Sequence, residues 1–192
     1  ILGSNDPKYK PNHGVEIFDL AGQGRLDTFF LSGGQIDGSA NINLTGIGSY
    51  PAQSTRWSGA FGSAYLYFLV PQVILFRERH TRDALVETVD FISAPGCSSE
   101  ETYRPGGPTN LVTNLCVFDF TPDRKRFSLK SIHPGHSLEE VLDNTGFDFD
   151  HIFQPKTTLA PSAKILESLR RDVSKKIRET YPEFTSKVWP TK

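Results

Sequence analysis

The chain contains no methionine and begins at Ile1. An initiator is therefore missing, and the expectation is a processed or incomplete chain. Its opening, Ile1-Leu2-Gly3-Ser4-Asn5-Asp6-Pro7, reads as the end of a strand and its turn, with an N-terminal segment expected before it. Cysteine is scarce. Cys97 and Cys116 make neither a disulfide framework nor a metal-type cluster. Free thiols fit a reducing compartment, so a cytoplasmic location is expected. Long apolar runs are absent: the longest stretch, Ala64 to Phe76, is broken by Pro71 and Gln72. It falls short of the ~20 residues of a membrane span. Nothing at the start has the pattern of a signal peptide. Charge of one sign is lacking too. With 21 basic and 22 acidic residues the net charge is −1, which gives no general attraction for nucleic acid or a membrane surface.

What is present fits a globular protein. The 192 residues, 37% hydrophobic and 22% charged, are read as a single domain, residues 1–192, large enough to bury a real core. Residues 3–14 read as loop, and Val15 to Leu20 as a strand end or a short helix. Leu26 to Leu31 is a continuous apolar run and predicts a buried strand. Ile42 to Ile47 alternates and predicts a half-buried one. Ser63 to Val70 predicts a short buried helix limited by Pro71. Val73 to Phe76 predicts a strand buried on both faces, and Val86 to Ile92 another strand. Leu111 to Phe120 predicts one strand with a bulge near Asn114. It forms a hairpin with Arg126 to Ile132 across the turn Thr121–Lys125.

Ser137 followed by Glu140 has capping-box spacing, and Gly146 suits the end of that helix. Ile165, Leu166, Leu169, Val173 and Ile177 form an apolar stripe at helical spacing behind Pro161. The tail, 183–192, is polar and expected to be loose. Strands separated by helices and glycine turns favour an α/β fold: an open, mostly parallel sheet flanked by helices, with an antiparallel hairpin and ligands at strand ends.

Two glycine-rich turns follow apolar runs. Gly33 and Gly34 lead into Gln35 and Asp37; Gly59, Ala60, Phe61, Gly62 and Ser63 form the second. Glycine lets a ligand approach the backbone, whose N–H groups then receive an anion or a developing oxyanion. The alternative is ordinary strand-to-loop punctuation. Gln35 and Asp37 either face the ligand or brace the turn. Asn41 and Asn43 hold the turn by side-chain bonds to backbone. Glu16 reads as surface charge, and the run Arg77 to Asp83 as a solvated turn. His133 reads as a structural turn residue without metal-ligand neighbours, and Cys116 as a small buried apolar residue.

The motifs occur in a specific order. Gly33-Gly34-Gln35-Ile36-Asp37 is followed by Asn41-Ile42-Asn43 and by Thr55-Arg56-Trp57-Ser58-Gly59-Ala60-Phe61-Gly62. Val89 to Gly96, Thr113 to Phe120, Ile132 to Gly135 and Leu142 to Phe147 continue the series. In that order they resemble the β subunit of glutaconate-type, family I coenzyme A transferases, over Leu26 to Arg178. The resemblance implies the CoA-transferase and ribose-5-phosphate-isomerase-like fold and a homologous α-type partner in an αβ or α2β2 heteromer. It also implies an acyl-CoA site between the subunits, with coenzyme A as substrate and no other cofactor.

In that family a glutamate attacks the thioester, which splits one hard acyl transfer into easier steps. It stands in an upstream Glu-Ser/Asn-Gly type turn. Ile1-Leu2-Gly3-Ser4-Asn5 is the nearest remnant and lacks the acid, so the glutamate is expected before Ile1 or absent. The family's Gly-Ser-Gly-Gly-Ala loop reads Gly59-Ala60-Phe61-Gly62-Ser63, and Phe61 is expected to wall off or reshape the pocket. Related ring-cleaving CoA hydrolases share the motifs, so a hydrolase stands as the alternative to a transferase. A catalytically degenerate supporting subunit is the third reading.

Overall fold

A computed structural model describes residues 13–189. The chain divides into two compact units, Glu16–Thr158 and a smaller one that takes the segment from Leu159 onward.

The larger unit is built on a six-stranded sheet. Helix α1, His13–Gly22, leads into β1, Thr28–Leu31. Four two-residue strands follow: β2, Gln35–Ile36; β3, Ile42–Asn43; β4, Gly46–Ile47; and β5, Thr55–Arg56. Helix α2, Ser63–Leu69, returns the chain to β6, Gln72–Phe76. Then come β7, Pro108–Val112; β8, Cys116–Thr121; β9, Arg126–Ile132; helix α3, Leu138–Asn144; and β10, Lys156–Thr157. The sheet order is β1-β6-β7-β8-β9-β10. The β1–β6, β6–β7 and β9–β10 ladders are parallel, and the β7–β8 and β8–β9 ladders antiparallel. This is the mostly parallel sheet with a hairpin that the sequence predicts.

The hairpin shows why these residues make these strands. In β8, Cys116, Phe118 and Phe120 point inward and are buried, while Val117, Asp119 and Thr121 point outward. In β9, Phe127, Leu129 and Ser131 are buried against Arg126, Ser128 and Lys130. A period of two puts every aromatic on one face. There Phe118 meets Phe149 edge-on at 5.0 Å, Phe120 meets Phe127 at 4.9 Å, and Phe127 stacks on Phe147 at 5.3 Å. Outside, Lys130 pairs with Asp119 across the strands at 2.8 Å.

Four expectations are corrected. Leu111 to Phe120 is two strands, because Thr113 turns the chain: its N–H donates to the Cys116 carbonyl and its hydroxyl oxygen accepts from the Leu115 and Cys116 N–H groups. Val86 to Ile92 is no strand. Its backbone is bound piecemeal, Val86 N to Ile36 O and Asp90 N to the Gln35 side chain. β6 is buried at Val73 and Leu75 while Gln72 and Phe76 are exposed, so one face alone is fully covered. β1 likewise leaves Phe30 63% exposed. The Ser137 cap forms as expected, its Oγ accepting from Glu140 N. Gly146 follows the C-cap Thr145 as expected, and there it allows close approach: a Cβ would lie 2.3 Å from Leu85 O.

In the smaller unit the stripe lies on α4, Ala163–Ser168, one turn of π-helix at Leu169–Val173, and α5, Ser174–Arg178. Ser162 caps it and the helix begins at Ala163, so Pro161 stands before the first helical position rather than in it. Within the segment expected to be loose, α6 spans Pro182–Val188. No described helix is long and apolar enough to cross a membrane.

Candidate functional site

β1, β6 and β7 are parallel neighbours, so they end on one side of the sheet, at Gly33, Arg77 and Thr113. Both glycine turns lie on loops that leave this side. They meet on a single segment: Gly34 N donates to Asn43 O at 2.9 Å, and Gly59 N donates to Leu44 O at 3.1 Å. Consecutive carbonyls thus hold two turns that are well separated in sequence. The small β2–β3 and β4–β5 hairpins extend this arrangement.

The first turn is packed. A Cβ on Gly34 would lie 2.1 Å from the Trp57 ring, and one on Gly33 would lie 2.4 Å from Ile42 Cγ2. Gln35 is buried, with Oε1 accepting from Asn43 Nδ2 at 2.7 Å and Asp90 N at 3.0 Å, and Nε2 donating to Asp90 at 3.2 Å. Asp37 is buried as well, and its carboxylate accepts from Ser39 N, Asn41 N and Asn41 Nδ2, each at 3.0 Å. These two side chains brace the loop and have turned their polar atoms inward. Asn43 Oδ1 accepts from Thr45 N and Gly46 N, the side-chain-to-backbone role expected of it. Gly48 N reaches the same Asp90 oxygen at 2.8 Å, tying the β4–β5 hairpin to the turn.

The second turn is open at Gly59 and packed at Gly62, where a Cβ would lie 2.2 Å from the Phe18 ring. Gly59 has φ +94°, and nothing lies within 4 Å of where a Cβ would stand. Phe61 follows at φ +47° and is 93% exposed. Ser63 closes the turn onto Ala60 O through both its N–H and its hydroxyl. Among the described residues, none accepts a hydrogen bond from the amides of Ala60, Phe61 or Gly62. A turn that leaves successive amides unpaired can receive a carbonyl oxygen as it gains negative charge.

The run Arg77 to Asp83 is exposed as expected at Glu78, Arg79, Arg82 and Asp83, and departs from the reading as a solvated turn at Arg77 and His80. Arg77 Nη1 donates to Gly33 O at 2.7 Å, and Arg82 Nε to Thr145 O at 3.2 Å. His80 is buried between two hydroxyls, Thr113 Oγ1 on Nδ1 and Thr145 Oγ1 on Nε2, both at 2.8 Å. Thr145 gives its own proton to Val141 O at 2.6 Å, so His80 Nε2 must donate to Thr145 and Nδ1 must accept from Thr113. That is a neutral ring. Burial, opposed by Glu140, lowers its pKa to about 4. Cys116 lies 3.8 Å from Nδ1, and burial pushes its thiol up to about 12, far from a nucleophile. The cluster joins the ends of β6 and β7 to α3 and steadies the rim on which the turns sit.

Sequence reasoning missed Arg77, His80, Thr113, Thr145 and Asp90. Position was the available signal for Arg77, His80 and Thr113: each follows a strand at the sheet's carboxyl end. His133 proves structural as expected, bonded to Thr158 Oγ1 and Thr113 O. Glu16 is exposed. Ile1–Asn5, where the remnant of the glutamate turn was sought, lies outside the described residues. Among the described residues no three His, Cys, Asp or Glu side chains converge as metal ligands.

Comparison with known proteins places this geometry. Residues 5–144 match the family model described as Coenzyme A transferase. The chain is 33% identical over 153 residues to the B-type subunit of 3-oxoadipate CoA-transferase from Pseudomonas knackmussii, covering 77% of this chain and 58% of that protein. It is 28% identical to the cholesterol ring-cleaving hydrolase IpdB subunit of Rhodococcus jostii, covering 81% and 62%. It superimposes on glutaconate coenzyme A-transferase from Acidaminococcus fermentans with a TM-score of 0.71 at 28% identity, covering 85% of this chain and 65% of that one. The chain thus spans about three fifths of the length of the curated relatives it matches.

Proposed function

The chain belongs to the coenzyme A transferase family, and from that premise we propose that it is the β-type part of an enzyme that moves coenzyme A between an acyl-CoA and a carboxylic acid. The observation behind this reading is the junction of the two glycine turns on Asn43 and Leu44, with the amides of Ala60, Phe61 and Gly62 left to an incoming group. The packed turn supplies rigidity, and the open turn supplies donors for the thioester oxygen. Such donors act most strongly on the charge that develops during acyl transfer. Coenzyme A enters as substrate, and no further cofactor has a part in this scheme.

The relatives are named as B-type subunits, which supports a homologous α-type partner in an αβ or α2β2 assembly. The carboxylate that attacks the thioester falls on none of the described site residues; the part of these residues is to hold the thioester and receive its oxyanion. Two free cysteines, one buried with a raised pKa, suit a reducing cytoplasmic setting.

The direct test is to co-produce the chain with the α-type product encoded beside it and follow coenzyme A exchange between acyl-CoAs and a broad panel of acids. Absence of exchange over the whole panel rejects the transferase. One relative's name favours a second reading, a ring-opening or thioester hydrolase. Release of coenzyme A or a ring-opened product in water, without an acceptor acid, identifies that reaction. Micromolar binding of acyl-CoA to the complex that is lost on changing Gly62 argues against a merely supporting subunit.

A further inference from the structure

Phe61 is the side chain that folding does not explain. It is 93% exposed, on a backbone at φ +47° that aromatic residues rarely adopt. Glycine would hold the same turn without strain and without exposing a ring. The ring leans on Phe18 with centroids 5.7 Å apart, and Phe18 meets Tyr65 edge-on at 6.0 Å. Phe18, Phe61, Gly62 and Tyr65 line one shallow depression. That lining contains no lysine, arginine or histidine. The empty space beside Gly59 and the amides of Ala60, Phe61 and Gly62, which find no acceptor among the described residues, belong to the same turn.

A thioester carbonyl received by those amides would place its acyl chain against the rings. Flat apolar rings favour an apolar, ring-bearing acyl group through burial and offset or edge contacts. A second carboxylate at the far end of the acyl chain would instead lie against these rings with no cation among the described lining residues to meet it, and desolvation opposes that.

We infer that the shelf of Phe18, Phe61 and Tyr65 receives the acyl group, and that the substrate is the CoA thioester of a bulky apolar acid, cyclic or aromatic, not of a short dicarboxylic acid. This rests on the reading of the open turn as the thioester site and adds the class of acyl group to it.

The test uses the assembled complex with its α-type partner. Benzoyl-CoA, cyclohexanecarbonyl-CoA, glutaryl-CoA and free coenzyme A are titrated calorimetrically into the native complex and into Phe61→Gly, Phe61→Tyr and Tyr65→Ala variants. Turnover of the three thioesters is measured in parallel. The native complex is expected to bind the cyclic thioesters at least about tenfold more tightly than glutaryl-CoA. Phe61→Gly should erase that preference, with the loss falling on the cyclic thioesters and glutaryl-CoA changing less than about twofold. Phe61→Tyr should keep it.

Equal native affinities, or a preference that survives both Phe61→Gly and Tyr65→Ala, overturn the shelf while binding of coenzyme A leaves the site reading standing. Failure to bind coenzyme A or any thioester removes the site reading and the shelf together. If Phe61→Gly prevents assembly, measured as mass by light scattering, Tyr65→Ala decides: a selective loss of the cyclic thioesters supports the shelf. An intact preference in Tyr65→Ala makes the ring a subunit contact and overturns it.

Discussion

The two glycine turns look alike in sequence and are opposites in structure. At Gly34 the neighbouring Trp57 ring fills the place a side chain would take, and Gln35 and Asp37 turn their polar atoms into the loop. At Gly59 the surroundings are empty, the backbone is left-handed, and the amides that follow have no acceptor among the described residues. Glycine is needed at the first for lack of room and at the second for its dihedral angles. The difference assigns tasks. On our reading the packed turn is scaffold, and the turn at Gly59 is the one with space and donors for a ligand.

Substitutions can break or sharpen that contrast. Gly34→Ala should have the largest effect, because its methyl meets an indole wedged in place; we expect about 3 kcal/mol of lost stability, by denaturant unfolding. A loss below about 1 kcal/mol would mean the turn is not packed. His80→Ala comes next. It removes the donor to Thr145 and the acceptor for Thr113, and about 2 kcal/mol is expected from those buried bonds.

The sign of the His80 effect with pH follows from its lowered pKa. The unfolded chain binds a proton at His80 below the ordinary value near 6.5, whereas the folded chain does not until about pH 4. Stability from this residue is therefore fully present above about pH 6.5 and declines as pH falls toward 4, by up to about 1.4 kcal/mol per unit. His80→Ala should flatten that slope, and an unchanged slope in thermal unfolding would place the acid sensitivity elsewhere. Gly59→Ala should cost about 1 kcal/mol, from the left-handed backbone alone. A loss matching that of Gly34→Ala would erase the distinction between the turns. Phe61→Gly should have the smallest effect on stability, within about 0.5 kcal/mol, since relief of strain offsets the added chain entropy.

Much of the fold was legible in local patterns. Alternation in β8 and β9, the Ser137–Glu140 cap and the short helix before Pro71 each formed where expected. The failures share a cause. Val86 to Ile92 has strand composition, yet its amides bond to Ile36 O and the Gln35 side chain, partners distant in sequence. Arg77 to Asp83 looked like surface charge, which holds for Glu78, Arg79, Arg82 and Asp83; Arg77 instead found a carbonyl and His80 two hydroxyls. Within the site, glycine spacing marked both turns but carried no hint that Gly34 was filled and Gly59 vacant.

By itself the sequence determined the alternating strands, the helix cap, the glycine bends and the motif order that marks the family. All of these are set by short-range geometry and by the identity of successive residues. Only the tertiary structure decided that both bends hang from Asn43 and Leu44, that Trp57 occupies one of them, and that Phe61 stands uncovered beside the other. Those outcomes depend on which distant side chain arrives to fill a space, and the local chain does not encode that arrival.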